Sequence, residues 1–171
     1  MPSLTRTIGA RAIVVATAVL LVAACGAGSA SHVPDPSGAP AGFGDKLCVA
    51  VGAAGKLTDD LQQLTAAGAD MSAIGKAAGN VVSDLQATDA AMAAIPDWLP
   101  ARDNVSQWRG YMPESINAMK AVAAAAAANA PAAFQQAVAD ASKSSGAVLS
   151  VQQGLFQQAS DLGVSCGAAT A

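Results

Sequence analysis

Few side chains here have the types that reaction chemistry requires. His32 is the single histidine. It falls among prolines, glycines and serines, so a solvated linker residue is expected rather than a metal ligand or general base. Without it, no serine–histidine–acid or cysteine–histidine arrangement can be assembled in the domain, nor a histidine-ligated haem site. Asp59 and Asp60 are adjacent carboxylates, but consecutive residues of a helix point different ways, and a solvated face is expected. Asp97 and Asp103 flank the start of a helical segment, where capping accounts for them. Glu114 is the one glutamate. This inventory points away from an enzyme, and no metal or cofactor is expected.

The aromatic residues are the better candidates for recognition. Trp98, Trp108 and Tyr111 fall within fourteen residues and make up half of the chain's six aromatics, with Arg102 and Arg109 between them. Tryptophan, tyrosine and arginine are enriched where proteins meet partners. These five residues are therefore the candidate surface for a partner, or for a small apolar or sugar ligand. The competing reading packs Trp108 into the core and uses Trp98 to close one end of the fold, as aromatics in small domains mostly do.

The N-terminus carries a different signal. Arg6 and Arg11 precede an uncharged apolar run from Ala12 to Ala24. Thirteen helical residues reach about 20 Å, short of the roughly 30 Å hydrocarbon core of a bilayer. The length suits a signal-peptide apolar region. The run ends Val22-Ala23-Ala24-Cys25-Gly26. This resembles the lipobox of bacterial lipoproteins: a branched apolar residue, two small residues, then cysteine. The resemblance implies removal of residues 1–24 and lipidation of Cys25 with diacylglyceryl and palmitate-type acyl chains. Because one acyl chain binds a membrane only marginally, the two or three chains of such a cysteine are needed for stable anchoring. An ordinary secretory signal and an uncut membrane anchor are the competing readings. Arg6 and Arg11 are not adjacent, which favours the general secretory route over the twin-arginine one.

Cleavage there would leave 147 residues, enough for one domain. It would remove two of nine basic residues and none of twelve acidic ones, giving a net charge of −5. No basic patch is present, so nucleic acid is not an expected partner. The apolar share, 53%, is high and dominated by alanine, the best helix former.

Residues 25–44, with Pro34, Pro36 and Pro40 and no periodic apolar positions, read as the lipidated N-terminus and a flexible tether. Residues 45–171 read as a helical bundle domain. Leu47, Val51, Ala54, Leu57, Leu61 and Leu64 form a helical stripe ending near Gly68. Asp70 is the expected N-cap of a second helix carrying Met71, Ile74, Ala78, Val81, Leu85, Thr88, Met92 and Ile95, ended by Pro96. Within it, Gly75 and Gly79 predict a close approach by a neighbouring helix. A third helix carries Ala101, Val105, Trp108, Met112, Ile116 and Met119, with Pro113 inside the pattern, so a kink or break is expected near Gly110 to Pro113. Asn129 and Pro131 are read as cap and first-turn residues of a fourth helix bearing Phe134, Val138, Ala141, Val148, Val151, Leu155 and Leu162, with Gly163 as its C-cap. The expected fold is all-α, an antiparallel up-down-up-down four-helix bundle.

With Cys25 assigned to lipid, Cys48 and Cys166 remain as an even pair in an oxidising compartment. In such a bundle the start of helix one and the end of helix four share a pole, so a disulfide is expected. Closing that loop contributes about 4 kcal/mol in the chain-entropy model. The alternatives are inert thiols or thiols used for metal.

Signal, tether, alanine-rich helices and cysteine pair together resemble many lipoproteins of actinobacteria, mycobacteria especially, that have no assigned activity. The resemblance implies attachment to the outer face of the plasma membrane. The functional expectation is a non-enzymatic interaction or accessory lipoprotein of the cell envelope with a protein partner there. The alternative is a carrier holding an apolar molecule or lipid inside the bundle.

Overall fold

The computed structural model describes residues 32–167. The expected signal peptide and Cys25 lie outside the described residues. Four helices follow one another: α1 (Phe43–Ala66), α2 (Met71–Ala93), α3 (Leu99–Ala127) and α4 (Pro131–Asp161). Connections of four, five and three residues force consecutive helices to run antiparallel. α1 packs on α2 and α4, α3 also packs on α2 and α4, and the backbones of the diagonal pairs stay apart. This is the expected four-helix bundle.

The helix ends follow from their sequences. Asp70 caps α2 by accepting the amides of Ser72 and Ala73 at 2.9 and 3.2 Å. Pro131 supplies the pre-set backbone of a first turn, but the residue before it, Ala130, holds the N-cap position. Asn129 therefore has a different role from the one expected. Its φ of 48° is left-handed, and it closes α3. The amide of Asn129 donates to the carbonyl of Ala126 and that of Ala130 to the carbonyl of Ala125, a Schellman closure. Asparagine is among the few non-glycine residues that tolerate this conformation. Gly163, φ 67°, closes α4 in the same way, its amide donating to Ser160 and that of Val164 to Ala159.

α3 runs unbroken through Pro113. Pro113 and Arg109 are both exposed, so the Arg109 carbonyl, which loses its intrahelical donor, lies on the solvent side of α3. Met112 and Ser115 on either side are buried and hold the helix to the bundle.

The core lies along the bundle axis. Phe43, Leu47, Leu57, Val81, Leu85, Met92, Met112, Val151 and Leu155 are its largest fully buried apolar side chains. A smaller cluster of Ile74, Ala78, Val122, Ala126 and Ala137 lies at the other end. There the alanine run of α3 brings backbones close. A Cβ on Gly75 would sit 3.5 Å from the amide of Ala127 and 3.6 Å from Ala126 Cβ. Gly79 meets nothing within 4 Å, so the expected close approach involves Gly75 alone.

The tether is shorter than the sequence suggested. α1 starts at Phe43, and both Phe43 and Gly44 are buried. Residues 33–42 fold back on its first turn. The Asp35 carboxylate accepts the amides of Gly42 and Gly44 at 2.8 and 2.7 Å, capping α1 from outside the helix. Asp45 accepts the amide of Val33 at 2.8 Å and pairs with His32 Nδ1 at 2.8 Å. Val33 and Ala39 pack on the core. Gly44 is required here, because a Cβ would stand 2.9 Å from the carbonyl oxygen of Pro34. His32, expected as a free linker residue, is thus an ion-pair partner, although its side chain is still 70% exposed.

Candidate functional site

The five residues expected to form one surface separate into three environments. Trp108 is 7% exposed and belongs to the core. Its indole lies against the bare backbone of Gly154 on α4, where a Cβ would come within 2.6 Å of Cε2 and 2.8 Å of Nε1. Trp98 precedes α3 and packs half-buried against Phe43, ring centroids 5.0 Å apart and planes at 72°. This edge-to-face contact closes the pole of the bundle where α1 begins. Tyr111 is half-buried, and its hydroxyl accepts from Gln107 Nε2 at 3.1 Å.

The arginines reach solvent. Arg102 grips Asp97 with two bonds, Nε to Oδ1 at 2.6 Å and a terminal nitrogen to Oδ2 at 2.8 Å. This pairing holds the guanidinium's proton even more firmly than usual. Arg109 Nε reaches back to Asp89 on α2 at 3.2 Å. Both line an open cleft of about 250 Å³ between the end of α2 and the first half of α3, floored by Met92, Ile95, Pro96 and Val105. Its volume lies just below the range of small-molecule sites. It presents two cations, each already partnered by an aspartate, around an apolar floor. Recognition of a polar surface suits such a rim.

Cys48 and Cys166 lie at disulfide distance, sulfurs 2.06 Å and Cα atoms 5.0 Å apart, joining the first turns of α1 to the segment after α4. Among the described residues, no group of three or more histidine, cysteine, aspartate or glutamate side chains is placed to hold a metal ion. No helix among them is long and apolar enough to cross a membrane.

A second polar centre was not expected. Asp59 is exposed, as a solvated face requires, but Asp60 is 7% exposed and faces α2. There it meets Asp84, 3% exposed, whose Oδ1 receives Lys56 Nζ at 2.9 Å. The hydrogen bond with Asp84, aided by burial, holds the Asp60 carboxyl above the usual aspartate range. A sequence signal existed: Asp84 falls inside the stripe Val81, Leu85, Thr88, where a charge needs a partner. Nothing in the sequence identified Asp60 as that partner. At the separate interface of α1 with α4, Gln152 donates to the carbonyl of Ala54 and to Thr58 Oγ1, both at 3.0 Å.

No family model, characterised protein or solved structure matches the chain.

Proposed function

We propose that this chain is a lipid-anchored accessory protein of the bacterial cell envelope, facing outward from the plasma membrane and acting by binding a protein partner rather than by catalysis. The observation that carries the reading is the sequence Val22-Ala23-Ala24-Cys25, preceded by the apolar run from Ala12 and by Arg6 and Arg11. The geometry supports it in two ways. Cys48 and Cys166 are paired as an oxidising compartment would favour. The chain also enters the bundle at the pole closed by that pair and by Trp98 on Phe43, the same pole at which the α2–α3 cleft lies. Fully buried Leu47, Leu57, Leu85, Met92, Met112 and Leu155 occupy the bundle axis, which favours a binding surface over an internal carrier site.

The experiment is intact-mass analysis of the protein from membranes. A diacylated or triacylated chain beginning at Cys25 is expected. A soluble, unlipidated chain beginning at Gly26 would overturn the anchoring. For the binding role, a photo-crosslinker at Ser106, on the cleft, should capture one envelope protein from intact cells, and Arg102→Ala with Arg109→Ala should abolish the capture. Equal capture by the double variant rejects the cleft.

A further inference from the structure

Asp60 of α1 and Asp84 of α2 are both buried where these helices pack together. Two ionised carboxylates cannot share such a place without a large electrostatic cost. Lys56 neutralises one of them, through Asp84 Oδ1 at 2.9 Å. The other oxygen, Asp84 Oδ2, is fully buried and has no hydrogen-bond partner among the described residues. A protonated Asp60 supplies the missing donor. Its O–H then donates to Asp84, and the interface holds one negative charge against one positive.

We propose that Asp60 carries a proton that it donates to Asp84, latching α1 to α2, so that the bundle is tighter below the pH at which this proton leaves than above it. The charged groups acting on Asp60 are Asp84 from α2, and Lys56 and Asp59 from its own helix; among the described residues no charged group of α3 or α4 acts on it. Lys56 favours the ionised carboxylate and Asp59 opposes it, but both act less strongly than Asp84 and burial. Lys56 is also 69% exposed on its side chain, which screens what it can offset.

The sign is opposite to that of ordinary acid unfolding. The folded state holds the Asp60 proton more tightly than the unfolded chain does. The stabilisation is therefore complete below the ordinary aspartate value of 3.8 and is lost as pH rises through the higher folded value. Asp60→Asn keeps a donor to Asp84 without titrating.

The test measures urea unfolding of the purified full chain in detergent from pH 4 to 8, alongside the carboxyl carbon shift of labelled Asp60. The wild-type midpoint should fall as pH rises, Asp60→Asn should flatten that dependence and match or exceed the wild type at pH 8, and the Asp60 carboxyl should titrate above 3.8. An Asp60 carboxyl that titrates at or below the ordinary value, or parallel wild-type and Asp60→Asn profiles, overturns the latch. If Asp60→Asn fails to fold, Asp84→Asn and the wild-type carbon titration decide: an unshifted Asp60 in the wild type rejects the proposal.

Discussion

The indole of Trp108 occupies the space that a side chain at Gly154 would fill. The ideal Cβ position at Gly154 overlaps the Trp108 six-membered ring and comes within 2.8 Å of Nε1. Two helices that meet late in the chain are thus fitted to each other by one large residue and one missing side chain. Asn104 and Gln158, four residues away on each helix, add a hydrogen bond at 2.6 Å on the same line of contact.

Gly154→Ala should destabilise the domain by about 1–3 kcal/mol, the usual cost of overpacking a filled core. Denaturant unfolding followed by tryptophan fluorescence measures it, and the emission of buried Trp108 should shift toward the red in the folded variant. In a Trp108→Leu background the same alanine should cost far less, because the ring it collides with is gone. Equal costs in both backgrounds would show that the fit is not between these two residues.

Loss of the Cys48–Cys166 link should cost about 2–5 kcal/mol. Alkylation of the native protein should leave both cysteines unlabelled until a reductant is added. The double Cys48→Ser, Cys166→Ser variant should unfold at lower denaturant while keeping its helical circular dichroism, since Leu47, Val51 and Val164 beside the link are themselves buried in the core. Ready labelling of Cys48 in the native, unreduced protein argues against the link.

The segment that folds over the start of α1 should respond to pH on both sides. Backbone amides hold Asp35 and Asp45 below the usual aspartate range, Gly44 and Gly42 acting on Asp35, and Val33 with His32 acting on Asp45. Their contribution is present above the ordinary value of 3.8 and is lost as pH falls through the lowered values. His32 is raised by its bond to Asp45, so its contribution is present below 6.5 and lost as pH climbs through the raised value. Docking of residues 32–44 should therefore be firmest between about pH 4 and 6.5. Exchange protection factors at the Val33, Gly42 and Gly44 amides report it, and Asp35→Asn should lower protection at Gly42 and Gly44 across the range. Protection that does not vary with pH or with this substitution contradicts the arrangement.

Much of this was legible in the chain itself. The stripe from Met71 to Ile95, spaced by threes and fours, specified α2, its buried face and, with Asp70 and Pro96, its limits within two residues. The stripe from Leu47 to Leu64 did the same for α1 except at its start, because the carboxylate that caps it, Asp35, lies outside the helix and leaves no local capping pattern. Cys48 and Cys166 could be paired because short connections fix the direction of every helix, and direction alone puts those two ends at one pole. Helical period, capping chemistry and loop length act over a few residues, so a linear reading reaches them.

Other features needed the tertiary structure. Whether Pro113 breaks a helix depends on which side of α3 meets water, since an exposed carbonyl can lose its donor cheaply and a buried one cannot. Whether Asn129 opens α4 or closes α3 depends on a backbone sign that neither neighbour fixes. The aromatic and arginine residues near the second connection looked like one surface, but the packing sends Trp108 to Gly154 and Trp98 to Phe43, leaving only Arg102 and Arg109 at the cleft. Asp60 and Asp84, twenty-four positions apart on different helices, become a pair only when α1 and α2 pack. The sequence by itself determined the helices, their order and the Val22–Cys25 motif, because these rest on local periodicity and residue type. Tertiary structure decided which side chains face each other across the interfaces, because that depends on helix rotation and burial, set by the whole bundle at once.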